Sequence, residues 1–321
     1  LDSAALTRRP AAKRSVQAEL AAIRLDIAWS EWLIGEQAKI QAIRIPYLER
    51  SRQLTARMKD LADDELARAL VAVTRGDLPA ASLDIRRLSA TDASARDRDS
   101  ENALAQARLD LNRTLGLDPG QAIDIAASAT TTMSALDRDE IYRLSVERRA
   151  DLLGLRALYE GSAATRMLAG LGRYPLPVVA VNWGRDTGAI RTIGPGVSLT
   201  LPVWNRARGD LAIADASRAQ LRAEYAARLE TIRADIASAH TALGIVSKQA
   251  KALADEIRPL ATQAEAMNRA VTRGDLSQSA GVAALMALLD KQLVGNGLTM
   301  AAAELAIALE IAAGYPLVHQ L

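Results

Sequence analysis

Few residues of this chain could do chemistry, and their types and spacing do not assemble into a reactive group. Histidine occurs only at His240 and His319 and cysteine is absent, so the nitrogen and sulfur ligands of a transition-metal site are lacking. The acidic run at residues 63–65 has the spacing of a solvated helix face rather than of paired catalytic carboxylates. The sequence therefore predicts no catalytic residue, no cofactor and no metal site.

Other stretches that could bind a ligand have simpler interpretations. The glycine-rich stretch between residues 184 and 196 lacks the lysine and the following helix of a phosphate-binding loop. Trp29 and Trp32 are three residues apart, a spacing that favours packing on one helix face. The 40 basic and 38 acidic residues are spread along the chain, which disfavours nucleic acid as a partner.

The composition predicts long packed helices. Of the 321 residues, half are hydrophobic but only 3% are aromatic, and none is phenylalanine. Alanine and leucine are strong helix formers and allow helices to pack closely. No stretch of 18 uncharged apolar residues occurs, so we expect no membrane-crossing helix. This absence does not exclude transmembrane β-strands, which are short and have a weak sequence signal.

Hydrophobic periodicity divides the chain into long helical runs. The first extends from about 11 to 72, with a kink expected at Pro46, and its return arm from about 80 to 115. A run of about 62 helical residues would be roughly 93 Å long, so it needs partner helices along its length. Further helices are predicted at about 139–171 and 209–271.

The two longest runs form a repeat. Residues 72–78 and 270–276 both read Ala-Val-Thr-Arg-Gly-Asp-Leu, at an offset of 198 residues. The same offset pairs Gly116 with Gly314, so the two copies align without a gap. A seven-residue identity between two helical hairpins of equal length indicates an internal duplication.

Between the repeats the hydrophobic period changes from helical to that of strands. Residues 178–183 read as one strand, residues 184–191 as a turn, and residues 197–201 alternate apolar with hydroxyl side chains. Such alternation is typical of a strand with one face toward lipid and the other toward water. Trp183 and Trp204 belong either to an interfacial aromatic girdle or to anchoring contacts with protein.

Three stretches carry a resemblance to a known family. Residues 149–152, Arg-Ala-Asp-Leu, are similar to an Arg-Pro-Asp-Leu motif that opens the helix before the strands. Residues 194–199 and 201–211 resemble a second strand and its Leu-Pro-aromatic-Asn-Arg exit into a helix. Together with the glycine-tipped hairpins, these stretches make the chain resemble the TolC-like outer-membrane efflux proteins. The return arm after residue 76, with Asp84, Arg86 and Arg87, is similar to the heavy-metal branch typified by CzcC.

The resemblance implies a fold, a location and partners. The fold would be mainly α, with long antiparallel helical hairpins in two tandem repeats and a small transmembrane β-hairpin. A homotrimer would close the hairpins into a β-barrel in the outer membrane of a Gram-negative bacterium, and the helices into a periplasmic tube. Substrates, heavy-metal cations among them, would pass from an inner-membrane pump of the RND type through a periplasmic adaptor into this tube.

The resemblance also implies particular residues. The adaptor would dock on the helix tips: Thr74, Arg75, Gly76, Asp77, Leu78, Thr272, Arg273, Gly274, Asp275, Leu276 and Ser277. The alternative to docking is that each glycine only ends its helix and that the neighbouring side chains are solvated. The strand-to-helix motif comprises Leu201, Pro202, Trp204, Asn205, Arg206 and Gly209.

Two departures from the family pattern lead to further expectations. Carboxylates that close the periplasmic end in the family are replaced here by Ala280 and Ala283, so no acidic gate is expected at that place. In repeat two a β-hairpin precedes the long helix, but only about ten residues precede the long helix of repeat one. We therefore expect an N-terminally truncated chain in which the first β-hairpin is missing and which conducts no current alone. The alternative function is a non-channel coiled-coil scaffold, which would have no use for a hairpin with lipid and lumen faces.

The domain boundaries follow from the repeat. Residues 1–116 are predicted to form the first helical-hairpin repeat and residues 117–138 a connector. Residues 139–321 form the second repeat, with a β-hairpin at about 174–204 and a helical hairpin at about 209–314.

Overall fold

The computed structural model describes residues 3–125, 137–175, 177–185, 187–188, 191–199, 201, 204 and 206–317. Its elements, in chain order, are α1 (Ser3–Thr74), α2 (Ser82–Leu115), α3 (Arg138–Arg148), α4 (Ala150–Leu171), β1 (Pro177–Arg185), β2 (Arg191–Leu199), α5 (Arg208–Arg273) and α6 (Gln278–Ala313). The prediction of a mainly α chain with two long helical hairpins and one β-hairpin is confirmed.

The elements form two compact units, each built from separate stretches of the chain. The first unit contains Leu1–Trp32, Asp139–Ala234 and Ala313–Tyr315, and the second contains Leu33–Arg138, Asp235–Ala312 and Pro316–Leu321. Both α1 and α5 contribute residues to each unit. The units therefore follow spatial packing, and the repeat-based division of the sequence stays a prediction.

In the second unit, α1 packs against both α2 and α6. Leu54 and Met58 of α1 are buried against Leu289 of α6. A cluster of buried alanines joins α1 to α2: Ala62, Ala90 and Ala93. Small side chains at these positions let the helices approach closely, so the chain builds its core without phenylalanine.

A buried polar network ties α1 to the end of α6. Glu310 is fully buried, and its carboxylate accepts hydrogen bonds from Lys39 Nζ at 2.5 Å and from the Leu317 backbone N–H at 2.7 Å. Lys39 Nζ also lies 3.2 Å from Glu36. Burial opposes the charge of Lys39, but its hydrogen bonds and its attraction to Glu310 and Glu36 outweigh that effect and raise its pKa.

In the first unit, α4 packs against α1 and α5 and runs antiparallel to both. Ser15 of α1 lies 2.9 Å from Thr165 of α4 between hydroxyl oxygens, and Arg166 pairs with Asp215 of α5 at 2.5 Å. A Cβ at Gly161 would lie only 2.4 Å from the Cβ of Ala18, so glycine is required for this close approach.

Several element boundaries differ from the sequence prediction. Helix α1 begins at Ser3 rather than near residue 11, and it continues through Pro10 and Pro46. The single helix predicted at 139–171 is two helices, because Arg149 adopts an extended conformation with φ −63° and ψ 124°. Both strands are longer than predicted, since cross-strand pairing continues to Arg185 and Arg191.

The expectation that no helix is apolar enough to cross a membrane is wrong for α6. By length and composition, α6 qualifies among the helices of the described residues, because its few charges are widely spaced. Its contacts are those of a packed helix, however: Asn296 Nδ2 donates to the Tyr47 carbonyl at 2.7 Å and to Ser51 Oγ at 2.9 Å. These hydrogen bonds fix α6 against α1.

Candidate membrane hairpin and helix tips

Strands β1 and β2 form an antiparallel hairpin whose register sorts its side chains by polarity. Opposite residues of an antiparallel pair lie on the same face of the sheet. The register runs from Pro177 opposite Leu199 to Arg185 opposite Arg191. One face, called the apolar face below, is therefore lined by Pro177, Val179, Val181, Trp183, Ile193, Pro195, Val197 and Leu199.

The apolar face is exposed in the single chain. Val181 is 74% exposed, Trp183 67% and Ile193 76%. Apolar surface on this scale is unfavourable in water, at about 25 cal/mol for each Å². The hairpin therefore needs an apolar environment against this face.

The opposite face of the hairpin carries small and polar residues. It contains Ala180, Asn182, Gly184, Thr192, Gly194, Gly196 and Ser198, with Val178 as its one larger apolar residue. The Asn182 side chain lies over Gly196, where a Cβ would approach Asn182 Nδ2 to 2.7 Å. A sheet with one apolar and one polar face suits a boundary between lipid and water.

The length and the ends of the hairpin match the same boundary. Each strand has nine residues, which is the length of a tilted strand that crosses a bilayer. The apolar face ends in the pair Arg185 and Arg191, directly after Trp183. Tryptophan followed by arginine is the order expected where hydrocarbon gives way to headgroups.

The predicted strand-to-helix motif is described at four of its six positions. Pro202 and Asn205 lie outside the described residues, whereas Leu201 and Trp204 are 59% and 97% exposed, and Arg206 and Gly209 are also exposed. Trp204 therefore has the exposure of a girdle residue and makes no anchoring contact within the described residues of this chain.

The backbone of this motif contains two residues in the left-handed conformation, for which the sequence carries no glycine signal. Arg206 and Ala207 adopt φ of 47° and 54°, the only positive values at non-glycine residues in the described part of the chain. A left-handed conformation costs about 1–2 kcal/mol at such residues. Ala207 is buried and its Cβ lies close to Gly172, so packing between the end of α4 and the start of α5 maintains the turn.

The two helix tips, tip one at residues 74–78 and tip two at residues 272–277, share one backbone geometry. Gly76 has φ 83° and Gly274 has φ 81°. In tip one the N–H of Gly76 donates to the Val73 carbonyl and that of Asp77 to the Ala72 carbonyl, and the equivalent bonds recur in tip two. Both tips are thus Schellman caps, in which glycine permits the left-handed turn. The predicted tip residues are exposed apart from Leu78, which is half-buried.

The side chains of the tips differ. In tip two, Arg273 Nε donates to Asp275 Oδ2 at 2.9 Å, and Ser277 Oγ accepts from the Ala280 N–H at 3.3 Å. Arg75 and Asp77 of tip one make no such ion pair within the described residues. The shared backbone with different side-chain contacts gives two similar but distinguishable surfaces.

Arg149 and its partner Asp151 connect α4 to α1, to α5 and to the residue after α6, at the motif that resembles Arg-Pro-Asp-Leu. Its guanidinium pairs with Asp151 at 2.9 Å and lies 4.2 Å from the ring centre of Trp29. Asp151 Oδ1 accepts from the Leu152 N–H at 2.9 Å, and Arg228 of α5 lies 3.8 Å from Asp151. A Cβ at Gly314, after α6, would come within 2.4 Å of Arg149 Cγ. The spacing of Trp29 and Trp32 predicts packing on one helix face, but no local pattern marks Arg149 as the partner of Trp29.

Two tyrosines of the first unit have hydroxyl groups with shifted pKa values. The hydrogen bond from Arg218 to the Tyr159 hydroxyl, together with the arginine charge, lowers the pKa of Tyr159. Burial raises the pKa of Tyr315, whose ring lies 5.3 Å from the Arg148 guanidinium. Both tyrosines contact arginines across helices, so their role is structural packing.

The remaining candidates for chemistry are dispersed. His240 is half-buried within α5, and His319 lies outside the described residues. The acidic run is paired with cations: Asp63 with Lys59, and Asp64 and Glu65 with Arg68. Within the described residues, no group of three or more metal-ligating side chains occurs.

Comparisons by sequence identify no relative. No family profile matches the chain, and no curated protein matches it.

Comparisons by structure do find similar proteins. A membrane protein from Pseudomonas aeruginosa matches with a TM-score of 0.82 and 17% identity, over 98% of this chain and 75% of that chain. The outer membrane protein VceC from Vibrio cholerae has a TM-score of 0.78 and 19% identity, over 99% and 78% of the two chains. The Campylobacter jejuni CmeC outer membrane channel has a TM-score of 0.78 and 13% identity, over 96% and 68%.

These matches extend over nearly the whole chain and include both helical hairpins and the β-hairpin. They confirm the fold expected from the resemblance to the TolC-like proteins. The chain therefore has the fold of outer-membrane channel proteins.

Proposed function

We propose that the chain is a subunit of an outer-membrane channel that exports substrates from a Gram-negative cell, with its helices in the periplasm. The observation that carries the proposal is the exposed apolar face of a hairpin whose other face is polar. The fold that the chain shares with the CmeC outer membrane channel supports the same role. Transport through such a tube is conduction and requires no catalytic group.

The hairpin also supports assembly of several copies, which we propose to be a homotrimer. A sheet of two strands has two open edges, and unpaired backbone groups at these edges are costly in lipid. Copies of the chain would pair these edges and close a barrel. The scaffold alternative gives the apolar face no partner. Electron microscopy of the detergent-solubilised protein tests assembly: closed threefold tubes are expected, and monomers or open filaments would contradict the proposal.

Matched substitutions on the two faces of β1 test membrane insertion. Val181→Lys places a charge on the apolar face, where it costs about 2–4 kcal/mol at mid-bilayer depth. Asn182→Lys places the same charge on the polar face and is the control. We expect Val181→Lys alone to reduce the protein recovered in the outer-membrane fraction severalfold. Equal recovery of both variants would contradict a lipid-facing role for the apolar face.

The helix tips are proposed to dock a periplasmic adaptor, which connects the channel to an inner-membrane pump of the RND type. Exposure and a common Schellman backbone at both tips support a repeated docking surface. The double variant Arg75→Glu with Arg273→Glu should weaken crosslinking to the cognate adaptor. Arg57→Glu with Lys251→Glu changes the same charge at exposed sites away from the tips, and it should leave crosslinking unchanged.

The exported substrate is proposed to be a heavy-metal cation. The support is the similarity of the return arm to the CzcC-type branch. In that arm Arg86 Nε donates to Glu65 of α1 at 3.2 Å and so joins two helices, whereas Arg87 lies 3.8 Å from Asp84 within α2 and both side chains are exposed. Deletion of the gene should sensitise the host to metal salts more than to organic drugs. The opposite order would contradict the metal assignment.

A further inference from the structure

Basic residues are concentrated at the end of the first unit where its helices meet the hairpin. They come from the start of α1, from the residue after the turn that ends α4, and from the entry into α5. We call these seven residues the basic collar: Arg8, Arg9, Lys13, Arg14, Arg173, Arg206 and Arg208. In the segments that contain them, residues 3–14, 165–175 and 201–210, the only acidic residue is Asp210.

Helix packing brings the three segments of the collar together. The hydroxyl contact between Ser15 and Thr165 aligns the start of α1 with the end of α4. Close packing of Ala207 on Gly172 aligns the start of α5 with the same end. Ala11 is 1% exposed, so the first turns of α1 are anchored by their small residues while their cations extend outward.

The collar cations are exposed, and none makes an ion pair within the described residues. The neighbouring Arg166 differs, since Asp215 neutralises it. Seven like charges in one region repel one another unless anions bind to them. The arrangement therefore indicates an anionic partner rather than an internal structural role.

The position of the collar identifies the type of anion. Arg173 precedes the first strand pair, Pro177 opposite Leu199, by four residues. Tyr174 is 65% exposed and Trp204 is 97% exposed at the same end. Exposed aromatic and basic residues beside an apolar surface are typical of the membrane interface, where lipid phosphates lie.

We propose that the basic collar binds the phosphates of anionic phospholipids in the leaflet that faces the helices. The proposal rests on the proposed function, which brings the hairpin into the membrane. Its cations come from three segments at the end of the unit that carries the hairpin, which suits a layer of headgroups rather than one peptide groove. The collar would then set the depth of insertion as well as adding affinity.

Vesicle flotation of the full chain tests the proposal with two lipid compositions. One vesicle is phosphatidylcholine alone, and the other contains about one third phosphatidylglycerol. We expect roughly tenfold or greater preference for the anionic vesicle at low salt, and loss of most of this preference near 1 M salt. A variant with Arg8, Arg9, Lys13 and Arg14 each replaced by Gln should lose the preference.

The control variant removes the same charge elsewhere, by Gln at Arg57, Arg98, Lys248 and Lys251, all of them exposed. It should keep the preference of the unmodified chain. An equal loss in both variants would overturn the proposal, because net charge alone would then explain it. If the first variant loses helix content by circular dichroism, the triple change of Arg173, Arg206 and Arg208 to Gln replaces it.

The vesicle results separate this proposal from the proposed function. Equal binding to both vesicles would overturn lipid-phosphate recognition and favour an acidic protein partner, while leaving membrane insertion intact. Failure to bind either vesicle would overturn both.

Discussion

The two helical hairpins have the same backbone at equivalent positions and different side chains around it. Gly116 and Gly314, which end α2 and α6, have φ of 68° and 75°. A Cβ at Gly116 would meet nothing within 4 Å, whereas one at Gly314 would meet Arg149 and Trp29. Both copies of the repeat retain the left-handed turns, which glycine adopts without steric strain, whereas the packing around these turns differs.

The return arms show the same divergence over their length. Ile85 and Leu88 of α2 are 74% and 72% exposed, near tip one. Their equivalents in α6 are Ala283 and Met286, and Met286 packs against the cluster of Leu54, Met58 and Leu289. At this position α6 therefore packs into the core of the second unit, whereas α2 exposes an apolar patch.

The residues that follow each return arm are held by a buried polar side chain at the same repeat position. Asn112 Nδ2 donates to the carbonyls of Asp118, Pro119 and Gln121. Glu310 takes its place in the second repeat and accepts from Leu317 N–H and Lys39. A neutral amide and a charged carboxylate thus both hold the residues that follow a return arm, but loss of hydrogen bonds costs more free energy for the buried carboxylate than for the amide.

The largest effect should distinguish these two residues. Glu310→Ala removes one of the two carboxylate partners of Lys39 and leaves the buried Leu317 N–H without its acceptor, at a combined cost of about 3–5 kcal/mol. Asn112→Ala removes only neutral hydrogen bonds and should cost about 1–3 kcal/mol. Urea unfolding followed by circular dichroism measures both. Equal costs would mean that the charge of Glu310 adds nothing to the shared task.

The two helix-ending glycines should differ next. Both Gly314→Ala and Gly116→Ala place a Cβ in a left-handed conformation, at about 1–2 kcal/mol. Gly314→Ala adds overlap with Arg149 Cγ and Trp29, at about 1–3 kcal/mol more. Thermal unfolding compares the two variants. A cost for Gly116→Ala as large as that for Gly314→Ala would show that the contact with Arg149 relaxes freely.

These glycines also show what the sequence could predict. A Schellman cap needs glycine at a defined position, so the helix ends and the repeat were recognisable from residue identity and offset. The surroundings of Gly314 were not, because Arg149 and Trp29 reach it from distant parts of the chain. Local patterns fix backbone turns, whereas long-range contacts decide their packing.

The break at Arg149 and the ends of the strands were missed for the same reason. The residues around Arg149 favour helix by local propensity. The ion pair of Arg149 with Asp151 and its contact with the Trp29 ring instead stabilise an extended backbone at Arg149. Arg185 and Arg191 carry no strand signal, and only their cross-strand pairing makes them strand residues. At the candidate site, alternation predicted the hairpin, but the full apolar face required the register.

A smaller effect on stability should depend on pH through Glu36, which has no acidic equivalent in repeat two. Burial raises the pKa of Glu36 above its usual 4.5, and its equivalent is Ala234. The folded chain then retains a proton that the unfolded chain releases. This contribution to stability is complete below pH 4.5 and is lost as pH rises through the raised pKa.

Glu36→Gln should therefore flatten the fall in melting temperature between pH 4.5 and pH 7. At pH 7 it should melt about 2 °C higher than the unmodified chain, since the carboxylate charge is disfavoured there. Ala234→Gln is the control for an added amide at the equivalent position. A steeper pH dependence in Glu36→Gln would show that attraction to Lys39 outweighs burial.

The smallest effect concerns the tips, whose backbones are alike. Asp275→Asn breaks the exposed ion pair with Arg273, which is 2.9 Å long, and should cost about 0.5 kcal/mol or less. Asp77→Asn in tip one breaks no described ion pair and should be neutral. The difference should vanish at 1 M salt, because exposed charges are then screened. If Asp275→Asn lowers stability by the same amount at low and high salt, Asp275 acts through the Schellman turn and not through the ion pair. Asp77→Asn should then lower stability by the same amount.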